Sequence, residues 1–467
     1  MEEAAPLTVA EVAQLRKEKA QLEMDVAHLL RHDQLTGLLN RATFVHEVDK
    51  SLKQMDHITK HGAIIELGLR GLPRITGTLG RHAADYAISA LAARLNNMCE
   101  EGHLLCRLDY WSFALYMPSV AEPLAALTKA KNILSALTQP IDWLDRKLML
   151  DAAAGVTLSS PEDYEAVVLI QNAGLALKSA TDKGGPGYGF FNPALAKAAK
   201  RRSDIQNALA TAIEKHHVHL AFQPIYSSET GELKSFEALM RMKHPELGVV
   251  SPVEFIPVAE ESGLIASLGA WAIAEACRVA SHWPEKITIS VNISPEQFYT
   301  GTLLTDVHNA LELHSFPAYR LEVEVTESTM LKDSDTVLQQ INTLKDMGCN
   351  IVLDDFGTGY SSLSYLWKFP FAKLKIDRSF VQALDTSTLV RGMLQSICGL
   401  ARNLGLKITA EGIETQGHID ALREYKCDYI QGYLTGRPAI ETDIAAIILK
   451  NYAEQLRPAK SDQAMLA

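Results

Sequence analysis

Apolar runs recur along the second half of the chain at a spacing that suits strands alternating with amphipathic helices. Eight strand-like segments stand out, at 219–226, 235–242, 286–294, 321–327, 349–355, 371–377, 407–414 and 429–435, with helical patterns between most of them. Eight strands alternating with helices predict a (β/α)8 barrel of the TIM type. The first half reads as a mixed α/β domain, with strands predicted at 63–69, 104–107, 113–117 and 148–157 and helices at 83–98 and 121–137. Ahead of it, residues 8–31 place Leu15, Leu22 and Leu29 at intervals of seven, with Val12 and Val26 in companion positions and Lys19 interrupting. That seam predicts a short coiled coil and a homodimer, formed through this helix, the barrel or both, the alternative for the helix being one amphipathic helix packed on its own domain.

The expected organisation is an N-terminal helix (1–32), the α/β domain (33–192), a helical connection (193–215) overlapping the start of the barrel (206–455), and a tail (456–467). At 467 residues and 47% hydrophobic content, each domain can bury a core without staples. A net charge of −11 disfavours a general nucleic-acid binder, yet a phosphate substrate stays open if metal supplies positive charge. The six scattered cysteines, with no Cys-x-x-Cys pair and no secretory signal, predict reduced core thiols in a cytoplasmic protein. No apolar run is long enough to span a bilayer, so sensory or membrane signals would reach the chain through a protein partner.

The chemistry gathers at strand ends. Glu237 and Arg241, Asn292, Glu324 and Glu327, Asp354 and Asp355, Lys375 and Asp377, Glu411 and Glu414, and Gln431 fall within or just after successive strands, where a barrel keeps its active site. The adjacent pair Asp354-Asp355 needs a cation, several donors or solvent to stay charged behind an apolar strand. Divalent metal is the sharpest explanation; Asp side chains capping a helix from a solvated loop are the plain one. Three other features carry less. The glycine-rich stretch 183–189 lacks a following Gly-Lys-Ser and reads as a turn, Lys200-Arg201-Arg202 as a solvated helix face, and His216, His217 and His219 match no zinc spacing.

The stretch Phe236-Glu237-Ala238-Leu239-Met240-Arg241 resembles the signature of EAL-domain cyclic di-GMP phosphodiesterases. In family order follow Val291-Asn292-Ile293-Ser294, Glu324-Val325-Thr326-Glu327, Asp354-Asp355-Phe356-Gly357-Thr358-Gly359, Lys375-Ile376-Asp377, Glu411-Gly412-Ile413-Glu414 and Gln431-Gly432-Tyr433. The resemblance implies hydrolysis of cyclic di-GMP to linear pGpG with two Mg2+ or Mn2+ ions. Glu237, Asn292, Glu324 and Asp354 would hold one ion, and Asp354 with Asp355 the second. Lys375 would orient water or the phosphate, Glu411 would act as acid/base or fix the water shell, and Glu327 would pin the loop after Asp354. Gln223, Leu239, Arg241, Asp377 and Gln431 would serve the substrate side, Arg241 pairing with a phosphate and Gln431 closing the water shell. One departure is Met242, where the family usually has Trp.

The first domain resembles the GGDEF diguanylate cyclase fold through Asp33-Gln34-Leu35-Thr36-Gly37-Leu38-Leu39-Asn40-Arg41. Its chemistry reads as lost. Asp109-Tyr110-Trp111-Ser112-Phe113 replaces Gly-Gly-Asp-Glu-Phe, Gly68 and Arg70 replace metal-binding aspartates, and Thr76 and Gly77 replace the guanine-reading Asn-Asp. Glu100 and His103 stand where the inhibitory Arg-x-x-Asp would be. The expected role is regulatory or dimerising. A rival from another class is a non-catalytic cyclic di-GMP receptor, which would be expected to lose ligands that are all present here.

Overall fold

The computed structural model describes residues 9–55, 61–120, 122–160, 165–182, 187–332, 334–357 and 363–455. The chain divides into two units, Met1–Arg201 and Arg202–Ala467.

In the first unit, strand alternation sorts side chains to two helical layers. Along His61–Arg70, Ala63, Ile65, Leu67 and Leu69 pack with the helices Arg81–Asn96 and Pro123–Leu137, while Ile64 faces Arg41–Lys53 and Ala166–Asp182. This strand lies inside a six-stranded sheet, antiparallel to Ser112–Val120 and to Asp151–Leu158. A Cβ on Gly155 would come 2.0 Å from the Ala173 carbonyl oxygen, so the helix Ala166–Asp182 lies closer to the sheet than any other residue would permit. The strand predicted at 148–157 is two pieces: Arg146–Leu148 forms a hairpin with Ile141–Trp143, and Asp151–Leu158 joins the sheet. Met149 and buried Leu150 carry the chain between the two pairings.

The N-terminal helix Val9–Arg31 leaves Leu15, Leu22, Val26 and Leu29 exposed as a seam; the Val12 side chain lies outside the described residues. So do 183–186 of the glycine-rich stretch. The connecting helix, Pro193–Leu209, ends short of the predicted 215 and continues as turns. Its basic triplet is not wholly solvated, because Arg202 pairs with Glu261. All six cysteines are free thiols, five of them buried. Among the described residues no helix is long and apolar enough to cross a membrane.

The second unit is a closed barrel. Its strands are β1 (Val218–Ser227), β2 (Leu233–His244), β3 (Thr288–Ile293), β4 (Leu321–Thr326), β5 (Asn350–Phe356), β6 (Lys373–Ile376), β7 (Lys407–Ala410) and β8 (Tyr429–Ile430). Strands β2 to β8 run parallel, but β1 is antiparallel to both of its neighbours, β2 and β8. The departure from an all-parallel barrel has a simple cause: the short turn between Ser227 and Leu233 cannot make the crossover a parallel pair requires. The outer faces of the strands build the main core with the surrounding helices. Met242, where Trp was expected, is buried among Val218, Val250 and Phe255.

Candidate active site

Period-two alternation sends Glu237 of β2, Asn292 of β3, Glu324 of β4, Asp354 of β5 and Lys375 of β6 into the barrel, and Glu411 and Gln431 follow directly after β7 and β8. Asn292 stands opposite Glu324 in register, and Asp354 opposite Thr326. The register of β5 against β6 breaks between Leu353 and Phe356, and Asp355 takes a left-handed backbone with φ 54°. That irregularity leaves Asp354 buried and Asp355 exposed; aspartate is among the residues that tolerate the conformation best.

Lys375 is the hub. It is 1% exposed, and its Nζ lies 2.7 Å from Glu411 Oε1, 2.8 Å from Glu324 Oε2, 3.2 Å from Asp354 Oδ1 and 3.4 Å from Glu237 Oε2. Glu237 also accepts from Asn292 Nδ2 and Gln431 Nε2, each at 2.7 Å. Burial alone would raise its pKa, but Lys375 and these two amides outweigh burial and hold the carboxyl below its ordinary value. The other acids go the opposite way. Burial, reinforced by Glu237 and Asp354, pushes Glu324 well up, and Glu411 is driven to about 8 by burial together with the Asp354 and Glu237 charges. Burial also raises Asp354, helped by Glu237, and the exposed Asp355 rises to about 6 through partial desolvation at the barrel mouth and the charges of Asp354 and Asp377. Burial disfavours the Lys375 ammonium, but four surrounding carboxylates override it and raise its pKa well above the ordinary value.

One ammonium cannot neutralise this many carboxylates. The remaining demand for positive charge is met by protons or by a cation, and the donor set points to the latter. Glu237, Glu324 and Asp354 each offer an oxygen within 4.8 Å of the others'. Glu324 Oε1 is buried with no hydrogen-bond partner among the described residues. Oxygen donors of this kind suit hard divalent ions. Asp354 is thus a buried member of an acidic cluster rather than a solvated cap.

The remaining residues singled out in the sequence take several positions. Gln223 is buried one step behind the acids, accepting from Gln431 Nε2 at 3.2 Å and donating to the Gly436 carbonyl at 3.0 Å. Leu239 and Arg241 line a neighbouring cavity of about 290 Å³ with Ile256, Glu260 and Pro295. Arg241 donates to its neighbour's carbonyl, Met240 O, at 2.9 Å, and burial lowers its pKa. Asp377 caps the helix Arg378–Gln382 through Ser379 N while adding negative charge near Asp355. Glu327 is buried just past β4, but residues 358–362 of the loop it was expected to pin lie outside the described residues. Glu414 does not join the cluster; it is exposed and accepts from Gln382 Nε2 at 3.3 Å. The three neighbouring histidines form no metal group among the described residues; His217 instead packs edge-on against His244. Sequence reading missed the buried pair Glu322 and Lys373, although each stands two positions before a residue it did select.

Comparison with known proteins bears on both units. The EAL domain family matches residues 206–438, and the family described as diguanylate cyclase, GGDEF domain, matches residues 30–186. The chain therefore belongs to the family of proteins that join a GGDEF domain to an EAL domain. The uncharacterized protein y4lL of Sinorhizobium fredii is 35% identical over 450 residues, covering 96% of this chain and 54% of y4lL. The bifunctional diguanylate cyclase/cyclic di-GMP phosphodiesterase MucR of Pseudomonas aeruginosa is 33% identical over 423 residues, covering 90% of this chain and 62% of MucR. The chain thus spans little more than half the length of these relatives. Among solved structures, the PaMucR phosphodiesterase in complex with c-di-GMP is 39% identical, with a TM-score of 0.50 over 52% of this chain and 99% of that one.

Proposed function

We propose that the barrel is a phosphodiesterase that hydrolyses cyclic di-GMP to pGpG with Mg2+ or Mn2+, and that the N-terminal unit is a regulatory cyclase-like domain without cyclase activity. The observation that carries the reading is the excess of buried carboxylates over the single Lys375 ammonium, with Glu324 Oε1 left without a hydrogen-bond partner among the described residues. The likeness to the MucR phosphodiesterase structure supports the choice of substrate.

Glu237, Asn292, Glu324 and Asp354 would hold one ion, and Asp354 with Asp355 a second. When bound, such a pair supplies positive charge to a phosphodiester and acidifies water for in-line attack. The chain's own residues orient and exchange protons. Gln431 and Asn292 fix both oxygens of Glu237, so its lone pairs point in set directions. Lys375 Nζ and Glu411 Oε1, 2.7 Å apart, form the proton-handling pair, able to take a proton from the attacking water or return one to the departing sugar oxygen. Arg241, which lines the adjoining cavity, would pair with a phosphate oxygen of the substrate. In the first unit, Trp111 is exposed on the hairpin where the cyclase motif would need glycine and acid, so a triphosphate lacks both close backbone approach and metal ligands.

The test is incubation of purified protein with cyclic di-GMP and Mn2+ or Mg2+, alongside Glu237→Ala and Asp354→Asn, with Ca2+ as the control ion. Production of pGpG by the unmodified protein and its loss in both variants is expected. Binding without hydrolysis would make the chain a receptor, and synthesis of cyclic di-GMP from GTP would refute the inactive-cyclase assignment.

A further inference from the structure

Beneath the acidic layer the barrel holds a second polar layer that the proposed chemistry does not use. Glu322 is 6% exposed and Lys373 8%, and Lys373 Nζ donates to Glu322 Oε2 at 2.6 Å. Glu322 also accepts from Thr288 Oγ1 at 2.9 Å and Ser290 Oγ at 3.0 Å, while the Lys373 ammonium lies 4.9 Å from the centroid of the Tyr429 ring.

The two layers are in step. Glu322 precedes Glu324, Lys373 precedes Lys375 and Ser290 precedes Asn292, each by two residues on one strand, and Tyr429 of β8 precedes Gln431, just past its end, by the same step. Inward-facing side chains repeat at that period, so each lower residue sits directly behind an upper one. Strands β4 and β6 are not neighbours; β5 lies between them, and its Val352 stands in register with Glu324 on one side and Lys373 on the other. Glu322–Lys373 and Glu324–Lys375 are therefore two rungs of one sense, glutamate on β4 and lysine on β6, both crossing β5. Stability alone is a poor reason for the lower rung, since desolvation opposes such pairs and apolar replacements of like volume are often neutral or stabilising.

We propose that Glu322 and Lys373 are positioning residues, clamping β4 to β6 across β5 so that Glu324 and Lys375 meet at the height that shapes the metal-holding cluster above. This inference rests on the phosphodiesterase reading of the upper layer. It puts the determinant of site geometry in a pair that touches neither substrate nor metal.

The experiment compares Glu322→Gln, Lys373→Arg and the double variant E322L/K373M with the unmodified chain. Each is measured for melting temperature, Mn2+ affinity by calorimetric titration, and kcat and KM for cyclic di-GMP. The double variant is expected to keep its melting temperature yet lose roughly 10- to 100-fold in both Mn2+ affinity and kcat, with KM little changed. Lys373→Arg, which keeps the charge, should recover most of that loss. Glu322→Gln, whose single amide oxygen keeps one of the two hydroxyl bonds that Thr288 and Ser290 give to separate carboxylate oxygens, keeps the fold accessible to the test if the double variant does not fold, and should show the same loss in smaller degree. Mn2+ affinity and kcat within about twofold of the unmodified chain in E322L/K373M, or in Glu322→Gln if the double variant does not fold, overturn the proposal. So do losses that merely follow the melting temperature. An unmodified chain inert toward cyclic di-GMP would instead refute the proposed activity, and the Mn2+ titrations would still decide the role of the pair.

Discussion

Replacing Lys375 with Met tests the electrostatic logic of the site most directly. The substitution keeps the length of the stem and deletes the ammonium, removing four N–O contacts between 2.7 and 3.4 Å from a position 1% exposed. Breaking a buried pair by removing one partner costs about 3–5 kcal/mol, because the abandoned charge stays buried. Protons on Glu324 and Glu411, both already raised by burial, absorb part of the imbalance, so the lower end of that range is expected near neutral pH. At about 2–4 °C per kcal/mol for a domain of this size, the melting transition of the barrel should fall by roughly 6–12 °C in EDTA. Added Mn2+ should restore more stability to the variant than to the unmodified chain, because the ion replaces the missing positive charge. Calorimetric scans with EDTA and with Mn2+ provide the assay. A metal-free variant melting within about 2 °C of the unmodified chain would refute the reasoning, since the acids would then not depend on Lys375.

Four further outcomes are expected. Gly432→Ala would set a Cβ 2.2 Å from Ile413 N and 2.3 Å from its oxygen, disturbing the segments that aim Glu411 and Gln431, and should cost about 1–3 kcal/mol in denaturant melts and most of the hydrolysis. Arg241→Ala should raise KM for cyclic di-GMP more than it lowers kcat, read from initial rates over a substrate series. In the first unit, Glu66 is pushed up to about 7, first by burial and then by Asp109, so its folded-state pKa exceeds the unfolded one. Its contribution is full below about pH 4.5 and is lost as pH rises through 7; Glu66→Gln should therefore remove up to about 3 kcal/mol of stability loss between pH 5 and pH 8, seen as a flatter melting profile. Leu22→Glu on the exposed seam of the N-terminal helix should convert a dimer to a monomer in light scattering, and an unchanged mass would argue against that seam as the contact.

The acids at the barrel mouth were legible because a parallel barrel needs apolar strands, which makes each inward carboxylate conspicuous, and because their ordered spacing matches one family. Glu322 and Lys373 were not legible for a related reason: they open their strands, away from the ends where sites belong, and their partnership exists only across an intervening strand. Glu414 shows the converse: it looks like a site residue by position, yet it is exposed beside Gln382.

Local pattern alone determined the alternation of strands and helices, the reduced cysteines and the identity of the inward carboxylates, because periodicity and residue type are properties of neighbours in the chain. Only the tertiary structure decided that β1 runs antiparallel, that Lys375 stands among four acids, that Gln223 supports Gln431, and that a second ion pair lies below. Those facts depend on closing the barrel, which brings residues from strands far apart in sequence to within hydrogen-bond distance and removes the water that would otherwise keep their charges apart.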